Sequence, residues 1–421
     1  MAARRVTDLE AEGILRIEDG NHGEYRPRRN EFSSDGTSFV RAANVVDGAV
    51  DFDGADRIND LALARIRKGI GRPGDLLLTH KGTVGRVARV PRNASPFVCS
   101  PQTTFWRVLD EDQVDRDYLF AYLRSPVFRQ QLYTRMHGSD MAPYVSLTEQ
   151  RSLLLDLPPL AEQRAIGEVV GVLDDKIENN RLLAKTLEEI AATLFKARFV
   201  DFVDHDDLIE SEIGPIPRGW EVKAIGDALP VVGGSTPSTK NPNYWDGGRN
   251  RWATPKDLSG LDMPVLLDTA RQITDAGVNC ISSRLLPPRT TLMSSRAPVG
   301  YTAIAFMPVA VNQGFIAMPP TEEFPSEYVL FWLRENMELI KANAGGTTFA
   351  EISKRAFRPL PMLIPPNQVL EDFRRSVEPM VDRIAVCARE NVVLAALRDS
   401  LLPRLVSGEI RVTGPCEELP A

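Results

Sequence analysis

Apolar residues recur through the middle of the chain in alternating steps of four and three: Ile166, Val170, Leu173, Ile177, Ala184, Leu187, Ala191 and Leu194. Asn180 is the one polar member of the series. Such steps keep one stripe of a helix turned toward a partner helix, so a long helix is predicted from about Leu160 to Phe199. At 1.5 Å per residue it would run ~60 Å. Pro158-Pro159 stops a helix from entering this stretch from upstream. A second series has the same spacing: Phe373, Val377, Met380, Ile384, Cys387, Leu394 and Leu401, with Asn391 and Arg398 at two seam positions. Those two polar residues weaken the second seam. Pro379, and Gly171 beside the matching place in the first series, are poor helix residues. A short helix is therefore expected before each point and the main paired helix after it. Two seams at matched places fit an antiparallel coiled coil, with Asn180 helping to fix its register.

The two seams end a longer duplication. Gly138-Ser139-Asp140-Met141-Ala142-Pro143-Tyr144-Val145-Ser146 resembles Gly345-Gly346-Thr347-Thr348-Phe349-Ala350-Glu351-Ile352-Ser353. The same displacement carries Leu157-Pro158-Pro159 onto Ile364-Pro365-Pro366 and Asp175-Lys176-Ile177 onto Asp382-Arg383-Ile384. With small drifts of offset, Thr83-Val84-Gly85 falls on Pro298-Val299-Gly300, Pro101-Gln102 on Asn312-Gln313, and Asp117-Tyr118-Leu119 on Glu327-Tyr328-Val329. Each half reads as a globular segment of short strands and helices, then a Pro-Pro mark, then a long helix. The fold class expected is α+β with an internal pseudo-two-fold repeat. A fragment ending near Asp207 would leave its seam bare, and is expected to pair with a second copy of itself.

Composition changes this picture little. With 421 residues, 43% hydrophobic and 25% charged, the chain can fill two ordinary domains. No apolar run approaches the ~18 residues of a membrane span. The start leads from Arg4-Arg5 into Asp8, Glu10 and Glu12 rather than a signal core, so a cytoplasmic location is expected. Cys99, Cys280, Cys387 and Cys416 stand far apart and read as reduced thiols. His22, His80, His137 and His205 do not cluster, and no metal site is expected.

Charge matters more. The net of -7 hides strong segregation. Between Leu61 and Arg107 lie Arg65, Arg67, Lys68, Arg72, Lys81, Arg86, Arg89, Arg92 and Arg107 against the single acid Asp75. Between Ala276 and Thr321 there is no acid, but there are Arg284, Arg289 and Arg296. The stretch from Leu160 to Glu212 is strongly acidic. Local basic patches, not the average, attract phosphate.

Several stretches then resemble one family, the DNA specificity subunits of type I restriction–modification systems. Pro158-Pro159-Leu160-Ala161-Glu162-Gln163-Arg164, followed by Leu173-Asp174-Asp175-Lys176-Ile177-Glu178-Asn179-Asn180, is similar to that family's central conserved region. So is Leu194-Phe195-Lys196-Ala197-Arg198-Phe199. Leu401-Leu402-Pro403-Arg404-Leu405-Val406-Ser407-Gly408-Glu409-Ile410 resembles its C-terminal signature. Ile17-Glu18-Asp19-Gly20-Asn21-His22-Gly23 and Gly74-Asp75-Leu76-Leu77-Leu78-Thr79-His80-Lys81-Gly82-Thr83-Val84-Gly85 look like recognition-domain motifs. The chain departs from the pattern at Pro379 and at Pro366-Asn367-Gln368.

The resemblance implies two target recognition domains, 1–158 and 218–364, each reading half of a split, asymmetric site on double-stranded DNA. It also implies a central conserved helix at 159–203, a linker at 204–217, a distal conserved helix at 365–407 and a tail at 408–421. The helices would set the spacing of the half-sites and dock two modification subunits. S-adenosylmethionine and adenine methylation would belong to those subunits. ATP, magnesium, translocation and cleavage would belong to restriction subunits. No cofactor is expected in this chain, and no membrane partner.

Catalytic motifs are weak. Asn241-Pro242-Asn243-Tyr244 resembles the Asn-Pro-Pro-Tyr motif of adenine methyltransferases, but Asn stands third and no glycine-rich cofactor turn accompanies it. Glu221-Val222-Lys223 after Asp206-Asp207 loosely resembles a nuclease metal site, yet its place suits the first strand of the second domain. Candidate DNA contacts are polar and basic residues of glycine-punctuated loops. In the first half they are Asn21, His22, His80, Lys81, Thr83, Arg86, Gln102, Thr103 and Thr104. In the second they are Ser235, Thr236, Ser294, Ser295, Arg296, Asn312, Gln313, Thr347 and Thr348. Two alternatives stay open: a coiled-coil scaffold that reads no DNA, and a stand-alone methyltransferase. The first would lack basic stretches in both halves, and the second would need cofactor motifs.

Overall fold

The computed structural model describes every residue except Met1, Asn21, Asp47, 138–141, 347–349 and 413–421. The chain divides into two compact units, Met1–Lys176 with Leu394–Ala421, and Ile177–Val393. Among the described residues no helix is long and apolar enough to cross a membrane.

In the first unit Leu76–Lys81 is buried over five of its six residues, as befits a strand with neighbours on both sides. It lies between Thr103–Val108 and Thr83–Arg89 in a six-stranded sheet that also holds Leu15–Asp19, Ala49–Val50 and Val45–Val46. A second, five-stranded sheet pairs Phe97–Cys99 parallel with Thr37–Val40. The helix Arg116–Arg124 opens at Asp115, whose Oδ1 accepts from the Tyr118 amide at 2.8 Å. It buries Tyr118, Leu119 and Tyr122 in one core with Trp106, Phe128, Ile166, Val170, Leu402 and Val406.

The second unit repeats the plan with smaller sheets. Thr291–Ser295 lies between Val299–Ala305 and Phe315–Met318, and Asn250–Ala253 pairs parallel with Val309–Val311. The helix Ser326–Glu335 packs Tyr328 and Phe331 into a core with Phe195, Phe199, Phe373 and Val377. Leu154–Leu157 pairs antiparallel with Ala2–Arg5 in one unit, as Pro361–Ile364 pairs with Glu221–Ala224 in the other. Glu221 and Lys223 therefore sit in an edge pair, bridged to each other at 2.9 Å. The linker region carries a hairpin of its own, Leu208–Ser211 with Gly214–Pro217.

Two glycines show how closely the halves correspond. A Cβ on Gly20 would lie 2.0 Å from the carbonyl oxygen of Cys99, and one on Gly234 would lie 1.7 Å from that of Val311. Each glycine lets the chain pass over the end of the matching parallel strand.

The long helices run over Leu160–Phe199 and Asn367–Val406, 40 residues each. Both are continuous, which corrects the expected breaks. Pro379 stands on an exposed face between buried Val377 and Val381, so burial of the opposite side outweighs the ~3 kcal/mol of a proline in mid-helix. Gly171 meets nothing within 4 Å, whereas Gly167 is the glycine the packing needs: a Cβ there would lie 2.8 Å from the Tyr118 amide nitrogen.

Within each unit the helices pair antiparallel. Asp174 meets Arg398 in the first, and Asn180 meets Asn391 in the second. Ile166, Val170, Ile177, Phe373, Val377, Ile384 and Cys387 are buried along the seam; Leu173, Leu187 and Leu394 are half-buried. The stripe drifts along both helices. Leu194 is 39% exposed while Phe195 is 3% exposed, and Leu402 and Val381 are more deeply buried than Leu401 and Met380. A strict heptad slips ~20° per repeat on a helix of 3.6 residues per turn, so the buried position moves on by one. Asn391 and Arg398, expected to weaken the second seam, each have a polar partner across it, Asn180 and Asp174.

Candidate nucleic-acid interface

Both units build the same corner at the end of their central hairpin. In the first, the Val145 amide donates to the His80 carbonyl at 2.9 Å, and Gly82 donates to Pro143 at 2.9 Å. Lys81 bridges Tyr144, and Tyr144 exchanges two backbone hydrogen bonds with His137. In the second, Ile352 donates to the Ser295 carbonyl at 3.0 Å, Arg296 bridges Glu351, and Glu351 exchanges two hydrogen bonds with Gly345. Each corner thus presents one cation, Lys81 or Arg296, beside the returning segment. Gly82, at φ 81°, makes the turn after Lys81.

Lys81, Thr83 and Arg86 are exposed on the first corner, and half-buried Gln102 is held there by its carbonyl, which accepts from the His80 amide at 2.9 Å. The Arg86 amide donates to Thr79 Oγ1 at 3.0 Å, which fixes the backbone beneath its side chain. In the second unit a cleft of about 490 Å³ is lined by Arg296 and Asn312 together with Lys256, Tyr301, Thr254 and Ser259. Thr236 and Gln313 are exposed and joined by a 2.6 Å hydrogen bond, while half-buried Ser235 accepts from the Ser282 amide. Lys256 and Tyr301 were not singled out in the sequence. Tyr301 could have been found, since aligning Gly85 with Gly300 sets it opposite Arg86. Lys256 reaches the cleft from a separate short helix, Pro255–Ser259, and no spacing links it to Arg296.

Six candidate side chains are withdrawn from direct contact by burial. Thr103 and Thr104 begin a strand flanked on both sides, and Ser294 and Ser295 end one. Thr103 donates to the Ser100 carbonyl at 3.1 Å; Ser294 donates to Pro298 at 2.7 Å and accepts from the Tyr301 amide at 2.8 Å. His22 Nε2 is 2.8 Å from the Cys99 carbonyl oxygen, and His80 Nδ1 is 3.0 Å from that of Val145. Burial pushes both imidazoles below their ordinary pKa, which leaves them neutral at pH 7. Their part is to shape the corner. Asn21, Thr347 and Thr348 lie outside the described residues, as does Cys416.

The basic stretch is partly neutralised by acids from outside it. Arg65 forms two 2.6 Å bonds to Glu31, holding that carboxyl down to about 2. Arg107 is spent on Asp75, and Arg89 on Asp117 and Asp175. Arg67, Lys68, Lys81 and Arg86 form no ion pair among the described residues, and the Arg72 amide donates to Asp75 at 2.8 Å. Cys99 and Cys387 are buried free thiols and Cys280 is exposed. No cluster of three or more His, Cys, Asp or Glu suited to a metal occurs among the described residues.

The profile of the type I restriction modification DNA specificity domain matches residues 13–189 and again 217–370. The specificity subunit of the type I restriction enzyme MjaIX from Methanocaldococcus jannaschii is 37% identical over 187 residues, 44% of this chain and 43% of that protein. The chain thus spans under half the length of that relative. The HindI specificity subunit from Haemophilus influenzae is 24% identical over 336 residues, covering 64% of this chain and 71% of its own length. The crystal structure of an S subunit of a type I restriction–modification system from M. genitalium superposes with a TM-score of 0.55 at 15% identity, over 96% of this chain and 95% of that one. That likeness concerns the fold alone.

Proposed function

The chain belongs to the type I restriction–modification DNA specificity family, and on that premise we propose that it reads a split, asymmetric DNA site for partner subunits that do the chemistry. Each unit is a target recognition domain that takes one half of the site at its hairpin corner. The long helices dock two modification subunits, which bring S-adenosylmethionine and methylate adenine. Restriction subunits bring ATP and magnesium. The observation that carries this reading is the repeated corner with different side chains: Lys81 and Arg86 in one copy, Arg296 and Tyr301 in the other. A shared backbone with unlike donors suits two unlike half-sites, phosphate contacts fixing position and base contacts fixing sequence.

A methyltransferase reading gains nothing from Asn241-Pro242-Asn243-Tyr244. Asn241 Oδ1 is engaged by the Asn243 amide at 3.2 Å, capping a short turn over Pro242–Tyr244. The test is to assemble the chain with modification subunits and sequence the adenines methylated in a random DNA library. The expected outcome is one interrupted motif with two different halves. Methylation without sequence preference would refute the assignment.

A further inference from the structure

The polar residues between the long helices, Asn180 buried and Asp174, Asn391 and Arg398 half-buried, stand at positions that the duplication does not repeat. In the first unit Arg398 Nη1 donates to Asp174 Oδ1 at 2.9 Å, and Arg124 closes on the other carboxylate oxygen. The displacement that carries Leu160 onto Asn367 takes Asp174 to Val381, and its reverse takes Arg398 to Ala191. Both counterparts are buried and apolar. In the second unit Asn180 Nδ2 donates to Asn391 Oδ1 at 2.9 Å and to Glu390 Oε2 at 3.0 Å, while Asn391 Nδ2 donates to the Ile177 carbonyl at 3.2 Å. Their counterparts, Cys387 and Ala184, are again buried and apolar.

The apolar rows behave differently. Ile166, Val170, Leu402 and Val406 are buried in the core of the first unit, and their counterparts Phe373, Val377, Phe195 and Phe199 in that of the second. Those rows stay apolar whichever helix is the partner. The polar rows do not tolerate the exchange. Were a second copy of the first helix to take the place of the second, Ala184 would stand for Asn391 and Ala191 for Arg398. Asn180 would then lose its amide partner and Asp174 the cation across the seam, and two-fold symmetry would produce each defect twice. Two copies of the second helix fare no better, with Asn391 facing Cys387 and Arg398 facing Val381.

We propose that the Asp174–Arg398 and Asn180–Asn391 rows form a pairing code, by which the first helix accepts a second helix and rejects another first helix. The physical basis is that an orphaned buried polar group costs far more than a satisfied pair contributes. Discrimination therefore comes from what the wrong partner leaves unpaired. This reverses the expectation that the first half pairs with itself. It stands independently of whether the chain reads DNA.

The test uses the full chain, with a specific protease site inserted between exposed Asp206 and Asp207 and cut after folding. Cut isotope-labelled and unlabelled chains are unfolded together, refolded, and held until labelled and unlabelled halves have mixed. Native mass spectrometry then counts the species. The expected result is one first half with one second half in every complex, with like-with-like dimers on the order of 100-fold below their random share. Like-with-like dimers near the random share would overturn the proposal. In the variant Asn180→Leu with Asn391→Leu, one row is erased without opening a cavity, and such dimers should rise about tenfold. No rise in a variant whose circular dichroism matches the parent would equally overturn it.

Discussion

In the first unit Asp117 and Asp175 close on Arg89, at the end of the strand Thr83–Arg89. In the second, the matching acids Glu327 and Asp382 close on Arg289, which stands before the strand Thr291–Ser295 and also holds Glu378. The carboxylates have kept their places while the cation comes from a strand in one unit and from the turn before a different strand in the other. The corners show the same division. Lys81 answers to Arg296, but Arg86 answers to Tyr301 and His80 to Ser295. What the repeat preserves is backbone: strand pairing, caps at Ser146 and Ser353, and the crossings at Gly20 and Gly234. What it has let go is side-chain chemistry at the surface and in the helix pair.

The largest expected effect tests what is common. Gly20→Ala and Gly234→Ala should each exceed the ~1–3 kcal/mol usual for overpacking, because the obstacle is a backbone carbonyl that no rotamer can move aside. Urea denaturation should show similar losses for both, and a tolerated Gly234→Ala would break the equivalence of the two crossings. Next comes a difference. Arg289→Ala strands Glu327, a side chain only 3% exposed whose carboxyl is already pushed upward by burial, and should cost about 3 kcal/mol. Arg89→Ala leaves Asp175, 63% exposed, to water and should cost within about 1 kcal/mol. Equal costs would mean that the two ion clusters are interchangeable.

Smaller effects concern the corners. Lys81→Ala with Arg86→Ala, or Lys256→Ala with Arg296→Ala, should each flatten the slope of log affinity against log salt by up to ~2 in the assembled complex. Unchanged slopes would place these cations away from phosphate. The smallest effect is acid lability confined to one half. His22 and His80 are held below the ordinary imidazole value of 6.5 by burial, so folding is favoured above that pH and loses stability as protons are forced on below it. Their counterparts Thr236 and Ser295 do not titrate. Between pH 7.5 and 5.5 the melting temperature should fall, and His80→Asn should lessen the fall by keeping a donor near Nδ1 without the charge. An identical fall in His80→Asn would remove His80 from this account.

The repeat, the helix bounds and the α+β class were legible because they are written in apolar spacing and proline punctuation. Helix continuity through Pro379 was not, since it depends on the burial of Val377 and Val381 on the far side. The polar seam residues looked like flaws in a list of positions. Only the antiparallel pairing brings Asn391 to Asn180 and Arg398 to Asp174. In the corners, Lys81 at the end of its strand and Arg86 within the next are exposed, and Arg296, just past its strand, is half-buried. Residue type failed for Thr103, Thr104, Ser294 and Ser295, since a hydroxyl in a central strand has the same letter as one in a loop. The acids that quench Arg65 and Arg89 come from distant segments, so a local charge count overstates the basic patch.

If each copy of the repeat reads its own half of the DNA site, as proposed, substitutions in one corner act on one half alone. Methylation mapping with complexes carrying Lys81→Ala and Arg86→Ala, or Lys256→Ala and Arg296→Ala, tests it most directly. Each pair of substitutions should relax or weaken one half of the motif and leave the other half and the spacing unchanged. Relaxation of both halves by one pair, or of neither by both, would contradict it.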